Sequence, residues 1–194
     1  MGITEGTVAE KAKAMIEGHV LHAKLRSVCK EVVGVDHDKA AVNELRRLGF
    51  DEIIYGNAEH LEQVGLNKIF DIVLCGDLIE HLSNPGLMLE GAKLFMDAQS
   101  EFIISAPNSF GGLHFLRYCF GAFREGNDHV LSFSVFTLNN LLRRHRFVIS
   151  ETYSCYNRPP ANRLDSLRYR VGVPFFKAFP KLGGTLLVIA KLQA

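Results

Sequence analysis

The stretch that decides the fold is Glu31-Val32-Val33-Gly34-Val35-Asp36-His37-Asp38. A run of apolar and small residues that is bracketed by charge and ends on an acid is typical of a buried parallel strand. Ligands of open α/β sheets bind outside the carboxyl ends of the strands. A carboxylate there can accept hydrogen bonds from both hydroxyls of a ribose, because it has two acceptor oxygens. The stretch therefore predicts a strand over Glu31–Asp36 and makes Asp36 the first candidate binding residue.

The composition is that of an ordinary globular protein and predicts one domain over residues 1–194. The chain is 47% hydrophobic and 22% charged, with a net charge of +1, so its global charge gives no argument for a nucleic-acid partner. Its four cysteines are far apart and form no CxxC pair, and no metal site is predicted. We see neither a secretory segment nor an apolar run of the ~20 residues that a membrane span needs. We therefore expect a cytoplasmic protein without a transmembrane segment.

The rest of the chain alternates between strand and helix patterns. Further strands are predicted at Asp51–Gly56, Asp71–Gly76, Glu101–Ala106, Arg146–Ser154 and Thr185–Lys191. Helices are predicted at Thr7–Arg26, Lys39–Leu48, His60–Val64, Pro85–Met96 and Ser134–His145. The alternation predicts an α/β fold with a mostly parallel sheet and helices on both faces. No helical crossover separates the last two strands, which therefore predict an antiparallel terminal hairpin.

Three segments interrupt this rhythm. Residues 1–27 form an atypical, charged helical segment, and residues 109–130 are rich in glycine and aromatic residues, as in a lid or substrate wall. Residues 155–184 contain six Lys and Arg residues against one acid, together with five aromatic residues. This insertion could be a flap that binds an anionic or lipid-like acceptor, or a surface that binds a membrane peripherally. Alternatively, it is a packed helix with a solvated basic face.

Several motifs taken together resemble those of class I S-adenosylmethionine-dependent methyltransferases. The motifs are EVVGVDHD, GNAEHL, FDIVLCGDLIEHLSNPGLML and EFIISAPN, and the later NDHVLSFSVFTLNNLLRRHRFVI is similar to the same group. The nearest type is the small-molecule, ubiquinone-biosynthesis-like group. The resemblance implies a Rossmann-like methyltransferase fold, S-adenosyl-L-methionine as the cofactor and methylation of a small-molecule acceptor.

The resemblance also implies roles for individual residues. Asp36 would bind the ribose hydroxyls and His37 would lie beside the adenosine. Asn57 and Ala58 would meet the adenine. The methionine moiety would be bordered by Gly76, Asp77 and Leu78.

The front of the chain departs from this family. A strand and a GxGxG turn should end about eighteen residues before Asp36, where only Gly18 remains of the pattern. Charged helix-forming residues stand in place of the first central strand. Three explanations stay open: a truncated start, a degenerate member with weak or no cofactor binding, and a variant cofactor loop.

Histidines supply the candidate catalytic residues. His81 follows Glu80 just past a predicted strand, and His129 follows Asp128 after the glycine-rich segment. Each could act as a general base, because histidine titrates near neutrality. Each could equally have the structural role of holding a loop. Many members of this family act mainly by bringing the acceptor close to the methyl group, which does not require a general base. His19 and His22 are three residues apart and are expected at the surface rather than as metal ligands.

Rival functions make different demands on the sequence. A catalytically inactive binding or scaffold protein would keep the fold and lose the cofactor turn. A nicotinamide dehydrogenase needs GxGxxG between a strand and a helix, which we do not find. A nucleic-acid methyltransferase would be expected to show an Asn/Asp-Pro-Pro-aromatic tetrapeptide after DIVLCG, where GDLIEH stands instead.

Overall fold

In the computed structural model the chain forms two compact units, with the boundary between Asn67 and Lys68. The structure describes residues 21–121, 126, 128–155, 170, 172, 174–175 and 178–193. Within these residues the first unit contains a two-stranded sheet and the second a four-stranded sheet. The assignment of one domain to residues 1–194 stays a prediction.

The first unit is built around a short parallel strand pair. Its elements are helix α1 (Leu21–Val28), strand β1 (Gly34–Asp36), helix α2 (Lys39–Arg47), strand β2 (Ile53–Tyr55) and a 3-10 segment (Ala58–Val64). Gly34 pairs with Ile53 and Asp36 with Tyr55, so both strands end at the same edge. The parallel pairing agrees with the β-α-β pattern of the sequence.

Helix α2 begins and ends where the sequence predicts. The Asp38 side chain accepts hydrogen bonds from the backbone N–H groups of Ala40 and Ala41, at 3.0 and 3.1 Å. An acid at this position satisfies amides that have no partner inside the helix. The helix ends before Gly49, whose φ of +87° favours glycine. The apolar face of the helix packs in a cluster that contains Val42, Leu45, Phe50 and Ile53.

Both strands of the first unit are shorter than predicted. Strand β1 begins at Gly34 rather than Glu31, and β2 covers Ile53–Tyr55 rather than Asp51–Gly56. The cause is the turn at residues 51–52, after which the parallel register begins with Gly34 opposite Ile53. Only Asp36 in β1 is buried, so the expectation of a fully buried strand is wrong for these residues.

The second unit carries a mixed sheet. Its strands are β3 (Ile72–Gly76), β4 (Glu101–Pro107), β5 (Phe147–Cys155) and β6 (Thr185–Leu192). Its helices are α3 (Pro85–Ala92), α4 (Gly112–Cys119) and α5 (Val135–Arg144), with 3-10 segments at Ile79–His81, Lys93–Phe95 and Pro180–Leu182. The strand order is β3-β4-β6-β5, and only β6 among these four runs against its neighbours.

The antiparallel terminal pair that the sequence predicts is confirmed, with one addition. Strand β6 pairs with β5 and also lies against β4, so β5 and not β6 stands at the end of the strand order. A central place fits its composition, because Leu186, Val188 and Ala190 are almost fully buried. Strand β5 also carries a bulge between Ile149 and Glu151.

The core of the second unit lies on one face of this sheet. Strand β4 alternates, with Phe102, Ile104 and Ala106 buried and their neighbours partly exposed. The Phe102 ring packs against Phe147 of β5, with centroids 5.1 Å apart. Alternation with period two is what a strand with one core-facing side requires.

The segment predicted as a loop at residues 109–130 is in part helical. Helix α4 occupies Gly112–Cys119, and Asn108 fixes its entry. The buried Asn108 amide donates hydrogen bonds to the carbonyl oxygens of Lys181 and Gly183, at 3.0 and 2.8 Å. The glycine-rich composition hid the helix because glycine has a low helix propensity. Whether the segment acts as a lid stays a prediction.

The capping box of helix α5 gives a stability prediction. Ser134 Oγ accepts the Thr137 N–H at 3.1 Å, and Thr137 Oγ1 accepts the Ser134 N–H at 2.9 Å. Ser134→Ala should lower the free energy of unfolding by about 1 kcal/mol, because the Thr137 N–H loses the side-chain oxygen that accepts it. Chemical denaturation followed by circular dichroism measures the change. Ser83→Ala, at an exposed serine that caps no helix, is the control, and an equal loss in both variants would contradict the prediction.

Candidate functional site

Asp36 is a buried carboxylate at the carboxyl end of β1. It is 7% exposed, and its Oδ1 accepts the backbone N–H of Asp38 at 2.8 Å. Its Oδ2 is buried without a hydrogen-bond partner among the residues that the structure describes. A buried acceptor left unpaired is costly, and native proteins rarely retain one without a reason. The oxygen is therefore suited to receive a donor from a ligand, and the neighbouring His37 side chain is 80% exposed.

Asn57 and Ala58 lie at the same edge of the first unit's sheet. The Gly56 N–H donates to the Asp36 carbonyl at 2.9 Å, which fixes the start of the loop after β2. Asn57 caps the following 3-10 segment, where its side-chain oxygen accepts the Glu59 N–H at 2.9 Å. A carbonyl oxygen has a second lone pair, so this bond leaves one acceptor position on Asn57.

The second unit presents Gly76, Asp77 and Leu78 where β3 ends. Asp77 has a φ of +43°, a region that non-glycine residues rarely adopt. Ser105 of β4 holds it there: the Asp77 N–H donates to the Ser105 carbonyl at 3.1 Å, and Ser105 Oγ donates to Asp77 Oδ1 at 2.9 Å. Strained backbone held by neighbours is frequent at functional sites. Ser105 is not among the residues predicted from the sequence, although a small polar residue near the end of a strand was a usable signal.

Glu80 is a deeply buried carboxylate that lies just past the end of β3. It is 2% exposed, and its Oε2 has no hydrogen-bond partner among the described residues. Burial raises the pKa of the Glu80 carboxyl above its ordinary value. Its backbone carbonyl accepts the N–H groups of Val130 and Leu131, at 2.8 and 3.1 Å. These two bonds fix the segment after Asp128-His129 against the 3-10 turn Ile79–His81.

The two histidines predicted as catalytic lie together. The His81 and His129 rings meet edge to face with centroids 4.8 Å apart. His81 Nδ1 is 3.1 Å from Asp128 Oδ2 and 3.2 Å from the Asp128 carbonyl oxygen. Both partners are acceptors, so Nδ1 carries the proton in the neutral ring and Nε2 holds the lone pair. The sequence named these residues in two separate motifs, and the fold joins them with Glu80.

The remaining sequence predictions concern His22, the segments at residues 1–27 and 155–184, and a membrane span. His22 is 3% exposed and lies 3.2 Å from the Glu52 carboxylate, so its expected surface position is wrong. Its ring packs against β1 at Gly34, where a Cβ atom added to the glycine would lie 3.1 Å from the ring. Gly18, His19 and most of the basic insertion at 155–184 lie outside the described residues. Among the described helices, none is long and apolar enough to cross a bilayer.

Known proteins share the fold and part of the sequence pattern. Residues 17–99 match the family profile described as a methyltransferase domain. No curated protein sequence matches the chain significantly.

Three solved structures illustrate the likeness of fold. An S-adenosylmethionine-dependent methyltransferase from Clostridium acetobutylicum is 10% identical, with a TM-score of 0.59 over 96% of this chain and 91% of its own. One from Archaeoglobus fulgidus is 15% identical, with 0.58 over 96% and 95%. Magnesium protoporphyrin IX methyltransferase from Synechocystis, solved with bound SAH, is 14% identical, with 0.56 over 96% and 82%.

The profile match and the fold together agree with the methyltransferase motifs of the sequence. The chain therefore has the Rossmann-like α/β fold of the S-adenosylmethionine-dependent methyltransferases, and its residues 17–99 carry the sequence pattern of a methyltransferase domain.

Proposed function

We propose that the chain transfers the methyl group of S-adenosylmethionine to a small-molecule acceptor. The observation that carries the proposal is the buried Asp36 carboxylate at the carboxyl end of β1, whose Oδ2 has no partner among the described residues. The residues fit the cofactor, because a ribose with two vicinal hydroxyls offers the donors that this oxygen lacks. We assign Asp36 to the ribose, and His37, Asn57 and Ala58 to the adenosine.

The remaining assignments follow the family resemblance of the sequence motifs. Gly76, Asp77 and Leu78 are assigned to the methionine moiety, and the strained turn at Asp77 supports this role. The cofactor, when bound, supplies a methyl group on a sulfonium with a good leaving group. The chain then has to hold the acceptor in line with that group and exclude water, and His81 or His129 can take a proton from the acceptor.

The exposed aromatic side chains of the glycine-rich segment support an apolar acceptor. Phe110, Phe115, Tyr118 and Phe120 are between 56% and 83% exposed. Exposed aromatic residues grouped along one segment are typical of binding surfaces. A lipid-like acceptor fits them best, whereas the case for an anionic acceptor rests on the basic residues of 155–184.

Calorimetric titration of the whole chain with S-adenosylhomocysteine tests the proposal. We expect saturable binding of one ligand per chain, and no binding of NADH, which a dehydrogenase would bind. A methyl-transfer assay with radiolabelled cofactor and a panel of lipid-like and phenolic acceptors then tests turnover. No binding of the cofactor product would overturn the proposal, while binding without turnover would favour the inactive binding protein.

A further inference from the structure

The fold brings a carboxylate and two imidazoles together around one point in the second unit. One oxygen of Glu80 and one ring nitrogen each of His81 and His129 all lie within 4.8 Å of one another. Ligand atoms about 2.0–2.2 Å from a common ion in tetrahedral geometry stand ~3.3–3.6 Å apart. The three groups therefore need to close by at most about 1.5 Å to share one cation.

Glu80 gives an independent reason to expect a cation here. Its side chain is 2% exposed, yet Oε2 has no partner among the described residues, and His81 Nε2 lies 3.9 Å from Oε1. A buried carboxylate needs a compensating positive charge or donor. Neutral imidazoles supply neither at their lone pairs, whereas a cation between the three groups would compensate the carboxylate.

Asp128 orients the His81 ring for binding a cation. Its carboxylate and backbone carbonyl both accept from His81 Nδ1, which leaves the Nε2 lone pair on the side of Glu80. A ligating histidine that donates its other N–H to a carboxylate or carbonyl is the usual arrangement in metal sites, because it fixes the tautomer and the ring orientation.

We propose that Glu80, His81 and His129 bind a divalent first-row transition-metal ion, with Asp128 orienting His81. Two imidazoles with one carboxylate favour such an ion over Mg²⁺ or Ca²⁺, which prefer all-oxygen ligands. Three protein ligands leave coordination positions for a small molecule. If the proposed methyl transfer holds, an acceptor oxygen at those positions loses its proton more readily, and the ion then replaces the two ligating histidines in promoting this loss, so this last role rests on the proposed function.

Metal binding by the whole chain, stripped with chelator and then titrated with Co²⁺ or Zn²⁺, tests the site. We expect one ion per chain and a visible Co²⁺ spectrum of mixed nitrogen and oxygen ligation. Glu80→Gln and His129→Ala should each weaken binding by about a hundredfold or more, because each removes a ligand, and loss of a supporting partner alone costs about 10–100-fold. Asp128→Asn should weaken it less and change the Co²⁺ spectrum, because the ring orientation loses its anionic partner.

His145→Ala is the matched control. His145 Nδ1 lies 2.6 Å from Glu90 Oε1 in the same unit, which gives a histidine–carboxylate pair that lies outside the proposed cluster. Its loss should leave metal binding unchanged. Absence of binding in the wild-type chain, a preference for Mg²⁺, or wild-type affinity in both Glu80→Gln and His129→Ala would each overturn the proposal. Thermal melts of each variant establish folding, and His129→Ala, at a half-buried position, serves if Glu80→Gln does not fold. Cofactor titration in the presence of chelator separates failure of this site from failure of the methyltransferase proposal.

Discussion

Asp36→Asn should weaken the binding of S-adenosylhomocysteine by about tenfold or more. The substitution keeps the size of the side chain, and the asparagine oxygen can still accept the Asp38 N–H that Oδ1 now accepts at 2.8 Å. The amide nitrogen would then stand at Oδ2 and present a donor where the ribose hydroxyl needs an acceptor. A hydrogen bond to a charged group contributes roughly 1.5–3 kcal/mol, and about 1.4 kcal/mol is a factor of ten in Kd.

Isothermal titration of wild type and variant measures this difference. Asp51→Asn is the control, because it removes the same charge from an exposed position of the same unit. Its affinity should equal that of the wild type. If Asp36→Asn binds as tightly as Asp51→Asn, Asp36 does not contact the ribose and the assignment of the cofactor edge fails.

Phe102→Ala should lower the free energy of unfolding of the second unit by about 3–5 kcal/mol. Phe102 is fully buried near the start of β4, opposite Val73 of β3 on one side and Ala190 of β6 on the other. Its ring also packs on Phe147 at 5.1 Å. Removing it creates a cavity between three strands, and their hydrogen-bonded register limits how far the walls can collapse.

Urea denaturation followed by far-ultraviolet circular dichroism measures the loss. Phe136→Ala is the matched control, since that ring is 72% exposed in the same unit, and it should change stability by no more than about 0.5 kcal/mol. Phe102→Leu should fall between the two. If unfolding proceeds in two transitions, the effect should appear in only one of them. Equal stability of the two alanine variants would contradict the packing described for this core.

Much of the fold could be predicted because its signals are local. The acid at Asp36, the cap at Asp38 and the stop at Gly49 depend on neighbours within a few residues, and the structure places each of them as expected. The helix at Gly112–Cys119 escaped prediction, since glycine-rich composition argues for a loop, while hydrogen bonds from Asn108 to the distant Lys181 and Gly183 fix its start. The ends of the strands also escaped prediction, because pairing with the neighbouring strand sets them.

Some residues of the candidate site could likewise be predicted from the sequence, whereas the environment of others could not. The sequence named Asp36, Asn57, His81 and His129 from motif order, and their proposed roles toward the cofactor and acceptor stay predictions. It gave no sign that Glu80 would be buried with an unpaired oxygen, because burial depends on what packs over a residue. It also placed His22 at the surface, although the ring lies beneath β1.

The sequence by itself determined the alternation of strands and helices, the methyltransferase motifs and the carboxylate at the end of EVVGVD. These follow from periodicity, capping and residue chemistry over short windows. Only the tertiary structure decided that β6 pairs with β4 as well as β5, and that Glu80 and His81 meet His129. The physical reason is that both depend on hydrogen bonds between distant segments, such as those from Val130 and Leu131 to the Glu80 carbonyl. Such bonds form only once the chain has folded back on itself.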